Sequence, residues 1–231
     1  QNMPLAQKLT ERYGYPVCIA NDSQALTLAE YTYGERKGTP NMILIKSGSG
    51  VGAGILLNHQ LHHGETFGAG EIGHLVIQPG GALCSCGNRG CLEAMAGRQA
   101  VLSLARKLGQ DVPESHLAAA PGASDEEALD IVKRAVLNKD PSAEQLAGRV
   151  GTCYGAGVAS LVSILNIRTV MFAGDVTGLG PIFLKAAADE IAGRTLASLS
   201  QETELLFSSA GPDMALQGAS ALILSEALGL P

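Results

Sequence analysis

The spacing of apolar residues changes several times along this chain, and each change marks an element. Pro16-Val17-Cys18-Ile19-Ala20 is a short apolar run that predicts a buried strand. It is stopped by Asn21-Asp22, which can cap a helix from about Ser23 to Tyr33. Met42 to Lys46 and Val51 to Leu57 are two β-rich runs joined by Ser47-Gly48-Ser49-Gly50, the pattern of a hairpin. Asn58-His59-Gln60 then turns the chain toward a further short strand near Leu61 to His63. Helical periodicity returns over Leu92 to Leu108. Ser124-Asp125-Glu126-Glu127 is a capping-box pattern that opens a helix through Ala128, Leu129, Ile131, Val132 and Ala135. Pro141 begins a long helix to about Leu165, apolar nearly all round in its second half and therefore expected at the centre. Thr169 to Ala173 reads as a strand, Pro181 to Ser198 as a helix, Leu205 to Ser208 as a strand and Ala215 to Leu228 as a last helix. Strands alternating with helices in this way predict an α/β chain with a mixed sheet.

Composition narrows the function classes. The 231 residues are 46% apolar, enough for a sizeable core in one large or two small domains. A formal net charge of −6 argues against this stretch itself gripping nucleic acid or an anionic membrane. There is no apolar run of about eighteen residues, so no bilayer span is expected. No signal peptide or lipidation motif is visible, and the cysteine usage suits a reducing cytoplasm. The chain opens at Gln1 without an initiator Met, which predicts a fragment or a processed form.

Candidate chemistry concentrates in GHLVIQPGGALCSCGNRGC. His74, Cys84, Cys86 and Cys91 offer one imidazole and three thiols, the ligand set of a closed tetrahedral zinc site. The Cys-Ser-Cys pinch with Gly87 and Gly90 supplies the tight backbone that a metal knuckle needs. The competing reading is a disulfide or a set of inert buried thiols, but three close cysteines cannot all pair. Four protein ligands leave no open position, so the expected zinc is structural and function is sought beside it.

Three neighbouring features each carry two readings. Gly48, Gly50, Gly52 and Gly54 lack the spacing and setting of a dinucleotide fingerprint. A Gly-rich hairpin with the Ser49 hydroxyl is able to nest a phosphate; equally, its glycines let another backbone or a sugar ring approach closely. Asn21-Asp22 is either a helix cap or an amide and a carboxylate bracketing the hydroxyls of a polyol, the carboxylate taking a proton from one. Glu71, three residues before His74, and Glu93, two after Cys91, are either solvated charges or carboxylates drawn together by the metal.

The ordered set AND at 20–22, GSGVGAG at 48–54, GEIGH at 70–74 and CSCGNRGCLE at 84–93 resembles the ROK family of repressors and sugar kinases, through nearly the whole chain. That resemblance implies an actin-like, hexokinase-type fold of two α/β lobes with sugar in the cleft between them. It implies sugar-binding roles for Asn21, Asp22, Glu71, His74 and Glu93, with His74 serving sugar and zinc through its two ring nitrogens. Residues 1–37 would be the tail of the first lobe. Residues 38–231 would be the second, carrying the knuckle and dimerisation helices, with the last helix returning toward the first. The family's kinases carry an Asp-x-Gly-Gly-Thr phosphate loop that is not found here and would lie before Gln1, so part of the first lobe is expected to be missing.

Two further departures bear on the branch. The kinase glycine run has Thr and a further Gly where this chain has Ser49 and Ala53. The kinases' Gly-Gly pair for adenosine is replaced by Ala173-Gly174-Asp175, and a carboxylate there is expected to repel a nucleotide. The chain is therefore closer to the N-acetylglucosamine- or glucose-responsive repressors. The expected function is the sugar-sensing effector domain of a transcriptional regulator. Its ligand would be a hexose or N-acetylhexosamine, its DNA contact a helix-turn-helix absent from this chain, and its assembly a homodimer or tetramer. The alternative is a sugar kinase. There Asp22 would be the general base for attack on the γ-phosphate of Mg-ATP, and Gly48, Ser49, Gly50 and Gly174 would face the nucleotide.

Overall fold

In the computed structural model, which describes residues 3–209 and 213–228, a five-stranded mixed sheet in the order β3-β2-β1-β4-β5 separates two layers of helices. The strands are β1 (Met42–Ser47), β2 (Val51–Leu57), β3 (Gln60–Leu61), β4 (Thr169–Gly174) and β5 (Glu204–Phe207). β1 pairs antiparallel with β2 across the glycine turn and parallel with β4, while β4 pairs parallel with β5. The helices are α1 (Leu5–Tyr13), α2 (Asp22–Tyr33), α3 (Leu92–Ala96), α4 (Arg98–Asp111), α5 (Asp125–Leu137), α6 (Pro141–Leu165), α7 (Gly180–Arg194), α8 (Ala197–Ser200) and α9 (Met214–Leu228).

The two-residue period of a strand sorts the core. Met42 and Leu44 on β1 and Met171 and Ala173 on β4 pack with Ala29 and Tyr31 of α2 and Met214 of α9. Ile43, Ile45, Val170 and Phe172 point to the other face, toward α6 and α7, where Tyr154, Phe172 and Phe183 meet edge to face with centroids 5.0–6.0 Å apart. β1 is thus buried on both faces, which is why it reads as an unbroken apolar run up to Lys46. The long α6 lies against the sheet as its apolar second half predicts, and Val150, Tyr154, Val158 and Val162 all reach the core.

Three elements differ from their sequence pattern. Pro16 to Ala20 is not a strand: no strand lies beside it among the described residues, and without a neighbour an extended segment has no ladder. The predicted helix from Leu92 to Leu108 breaks at Gly97, which is extended (φ −71°, ψ 174°) and donates to Glu93 O, so that α4 restarts at Arg98 in a new direction. The helix expected from Pro181 to Ser198 likewise ends at Arg194, and α8 follows it. The capping box at Ser124 is present with both of its bonds. No helix of the described residues is long and apolar enough to cross a membrane.

β1 and β4 run parallel, so their carboxyl ends, Ser47 and Gly174, stand side by side. The amino end of α2 and the segment from Gly70 to Glu93 converge on the same edge of the sheet.

Candidate functional site

The segment from His74 to Cys91 folds back on itself through short backbone bonds. Cys84 N–H donates to Asn88 O (2.8 Å), Gly87 N–H to Cys84 O (3.0 Å), and Ile77 N–H to Gly90 O (2.9 Å). Gly90 has φ +77°, and a Cβ there would stand 1.7 Å from Gln78 O, so this crossing admits only glycine. The turn places His74, Cys84, Cys86 and Cys91 with all four ligand atoms within 4.8 Å of one another. Cys86 and Cys91 Sγ are 3.7 Å apart, and His74 Nδ1 and Cys84 Sγ 3.5 Å.

A disulfide would need about 2.05 Å between sulfurs. Tetrahedral zinc, with bonds of about 2.3 Å to sulfur and about 2.0 Å to nitrogen, has edges of about 3.8 and about 3.5 Å. The cluster therefore has the donor set and the spacing for such an ion. Hydrogen bonding, first from the Cys86 backbone N–H, draws the Cys84 thiol down to about 6, while burial pushes Cys91 up to about 12. Adjacent thiols repel a second negative charge, and a cation is what lets all of them ionise.

His74 also lines an open cleft together with Asn21, Asp22, Lys46, Ser49, Gly50, Val51, Gly52, Glu71 and Glu93. All five sugar-binding residues expected from the sequence meet there. Asn21 is both cap and wall: its Oδ1 accepts from Ser23 N (2.9 Å) and Ser23 Oγ (2.7 Å) as the N-cap of α2, and the same residue borders the cleft. Asp22 opens α2 and is ion-paired with Lys46. Glu93, on the first turn of α3, accepts from the Val51 backbone N–H (2.9 Å) and stands 3.5 Å from Ser85 Oγ. With Nδ1 of His74 directed at Cys84, its other ring nitrogen is the one remaining for the cleft side.

The glycine hairpin shows close approach where the sequence left two readings open. A Cβ at Gly54 would lie 2.0 Å from Thr27 Oγ1, so the glycine lets α2 settle directly on β2. Of the residues expected to face a nucleotide, Ser49 and Gly50 line the cleft; Gly48 sits in the turn, and Gly174 lies beside Ser47 at the end of β4.

Asp175 is ion-paired. Its carboxylate is gripped by Arg98, with Nε to Oδ2 at 2.6 Å and Nη2 to Oδ1 at 3.0 Å, and Arg98 also reaches Glu126 at 2.7 Å. These partners, Asp175 foremost, raise the Arg98 pKa. The Asp175 charge is countered by Arg98, which it shares with Glu126, so the cluster adds the bulk of an ion pair to a repulsion that the guanidinium reduces. Lys46 and Arg98 are the functional candidates that the sequence reading passed over. Lys46 was signalled by the single charge in an apolar strand; Arg98 carried no comparable signal, because its partner is 77 positions away.

The ROK family model matches residues 1–226. Among curated relatives, the glucokinase of Halalkalibacterium halodurans is 31% identical over 98% of this chain and 69% of its own length. The xylose repressor of Bacillus subtilis is 29% identical over the whole chain but only 56% of its own length. The chain thus spans little more than half of that repressor. Among solved structures, a ROK family transcriptional regulator homologous to the E. coli MLC protein superposes with a TM-score of 0.88 at 29% identity, covering 100% of this chain and 57% of that one. A ROK family glucokinase from Streptomyces griseus, in complex with glucose and AMPPNP, superposes at 0.81 with 28% identity over 95% of this chain and 72% of that one. With its mixed-sheet α/β fold of the actin-like type and a family match over almost every residue, the chain belongs to the ROK family.

Proposed function

We propose that this chain is the sugar-sensing domain of a ROK family transcriptional regulator. The observation that carries the reading is the meeting of Asn21, Asp22, Glu71, His74 and Glu93 in one cleft backed by the cysteine cluster. Carboxylates and an amide on short side chains suit a polyol, because each hydroxyl both donates and accepts. The ligand class is a hexose or N-acetylhexosamine, and the B. subtilis relative adds xylose to the sugars to be tried. Zinc is the ion that fits His74, Cys84, Cys86 and Cys91; when bound it supplies a rigid anchor for the segments carrying His74 and Glu93. Sugar contacts that differ between two states of the protein would then shift its affinity for DNA, through a helix-turn-helix outside this chain.

Relatives on both branches are equally close, so a sugar kinase is the second reading. The specific observation in its favour is that Asp22 stands in the cleft beside Ser49 and Gly50, where a base and a phosphate-facing turn would meet. Against it weighs the Arg98–Asp175 pair, which fills the end of β4 where the kinases keep bare backbone. The discriminating experiment uses the full-length protein. Sugar-sensitive binding to its operator without ATP-dependent sugar phosphorylation supports the regulator. Turnover in the ordinary enzyme range of about 1–10³ per second overturns it.

A further inference from the structure

We propose that Lys46 is a direct sugar ligand, acting with Asp22 as a donor and acceptor pair on a single hydroxyl group; this rests on the sugar-binding reading above. Lys46 is the one cation bordering the cleft among the described residues. It interrupts a strand whose other residues are all buried and apolar apart from the terminal Ser47, and its side chain is only 26% exposed. A hydrophobic residue would serve β1 better, since a lysine at the edge of a core gives up apolar burial.

The register explains where the ammonium goes. Lys46 lies between Gly52 on β2 and Ala173 on β4, two of the smallest possible neighbours, so its stem rises unobstructed to the cleft. Its head lies beside the turn: a Cβ at Gly48 would be 3.7 Å from Lys46 Cε and 3.9 Å from Nζ. There Nζ meets the Asp22 carboxylate.

Chemistry then assigns the pair its ligand. Asp22, Glu71 and Glu93 as carboxylates only accept hydrogen bonds, whereas each sugar hydroxyl donates one and accepts up to two. A wall of carboxylates satisfies the hydroxyl protons and leaves the oxygen lone pairs unmet. Asn21, Ser49 and His74 offer neutral donors, and Lys46 is the one charged donor of the lining among the described residues. A hydroxyl placed between Asp22 and Lys46 gives its proton to the carboxylate and accepts from the ammonium, two charge-assisted bonds on one oxygen. A ligand carrying hydrogen at that carbon makes neither, so the pair demands a hydroxyl at one defined position of the ring.

The test is calorimetry on the full-length protein with D-glucose, D-xylose and N-acetyl-D-glucosamine, followed by the monodeoxy analogues of whichever binds. Lys46→Met, which keeps the stem and removes the charge, is expected to raise Kd about 10- to 100-fold. Lys46→Arg, which keeps charged donors, is expected to stay nearer the wild type than Lys46→Met does. For one monodeoxy analogue the wild type loses affinity and Lys46→Met adds no further loss, because the bond that it removes is already gone. If Lys46 merely held Asp22 in place, Lys46→Met would add no loss in the Asp22→Ala background, where no carboxylate remains to be held, and that outcome overturns the proposal; a direct ligand still costs affinity there. Wild-type binding with an unchanged Kd in Lys46→Met also overturns it while leaving the sugar site standing. Failure of the wild type to bind any of the three sugars overturns both.

Discussion

Glu93 Oε2 lies 2.9 Å from the Val51 backbone N–H, so the first turn of α3 is bonded to the first residue of β2. Val51 and Glu93 are 42 positions apart in sequence, and this bond ties the end of the knuckle to the glycine hairpin at the cleft. Glu93→Ala leaves the Val51 N–H without its carboxylate and removes one cleft wall. The expected cost is about 1–3 kcal/mol in urea unfolding. Glu93→Gln keeps an acceptor and should lose less.

The cysteine cluster predicts one zinc per chain. Elemental analysis of the purified protein should find it, and replacing Cys86 and Cys91 by Ser should abolish it, since two hard hydroxyls replace two thiolates. Chelation should also lower the melting temperature, because metal binding at such a site is part of the folding free energy. Metal retained by the double Ser variant would contradict the assignment of ligands.

Asp140 makes a pH-dependent contribution to stability. Burial opposes its ionisation, yet bonds from His116 N–H (2.8 Å), Ala143 N–H (3.0 Å), Ser115 Oγ (3.0 Å) and the His116 ring (3.2 Å) hold its pKa below the ordinary carboxylate value. A folded pKa below the unfolded one, about 3.9, means that the stabilisation is complete above the unfolded value and is lost as pH falls through the folded one. Asp140 is also the N-cap of α6, so Asp140→Ala should cost about 0.5–2 kcal/mol near pH 7. Denaturation at descending pH should show the gap to the wild type narrowing below about pH 4.

Gly54 tests the packing that brings Asp22 to the cleft. Gly54→Ala puts a methyl 2.0 Å from Thr27 Oγ1 and 2.7 Å from Ser23 O, so α2 must lift from β2. Overpacking of this kind costs about 1–3 kcal/mol. Thermal unfolding should register it, with sugar affinity falling in parallel as Asp22 moves.

Most elements were legible because local signals fixed them. The Ser124 capping box, the Ser47–Gly50 turn and the apolar second half of α6 each carry their own chemistry within a few residues. Pro16 to Ala20 misled for the opposite reason: an apolar run becomes a strand only beside another strand, and that neighbour is a tertiary matter. Gly97 broke a periodic helix because its backbone turns extended there, where a Cβ would stand 2.6 Å from Glu93 O, and apolar spacing carries no sign of that. α1 went unread because it is polar and buries none of its residues. At the site, motif residues such as Asn21, Asp22, Glu71, His74 and Glu93 could be named in advance. Their partners could not, since Arg98 owes its role to a strand end and a helix start distant in sequence.

The most direct test of the account is calorimetric titration of the full-length protein with glucose, xylose and N-acetylglucosamine, comparing the wild type with Asp22→Ala. The account predicts one site per chain for at least one of these sugars. It also predicts a loss of about 1–3 kcal/mol in Asp22→Ala, roughly a 5- to 150-fold rise in Kd, from removal of a carboxylate that accepts a sugar hydroxyl. Unchanged affinity in Asp22→Ala, or no binding of any of these sugars by the wild type, would contradict it.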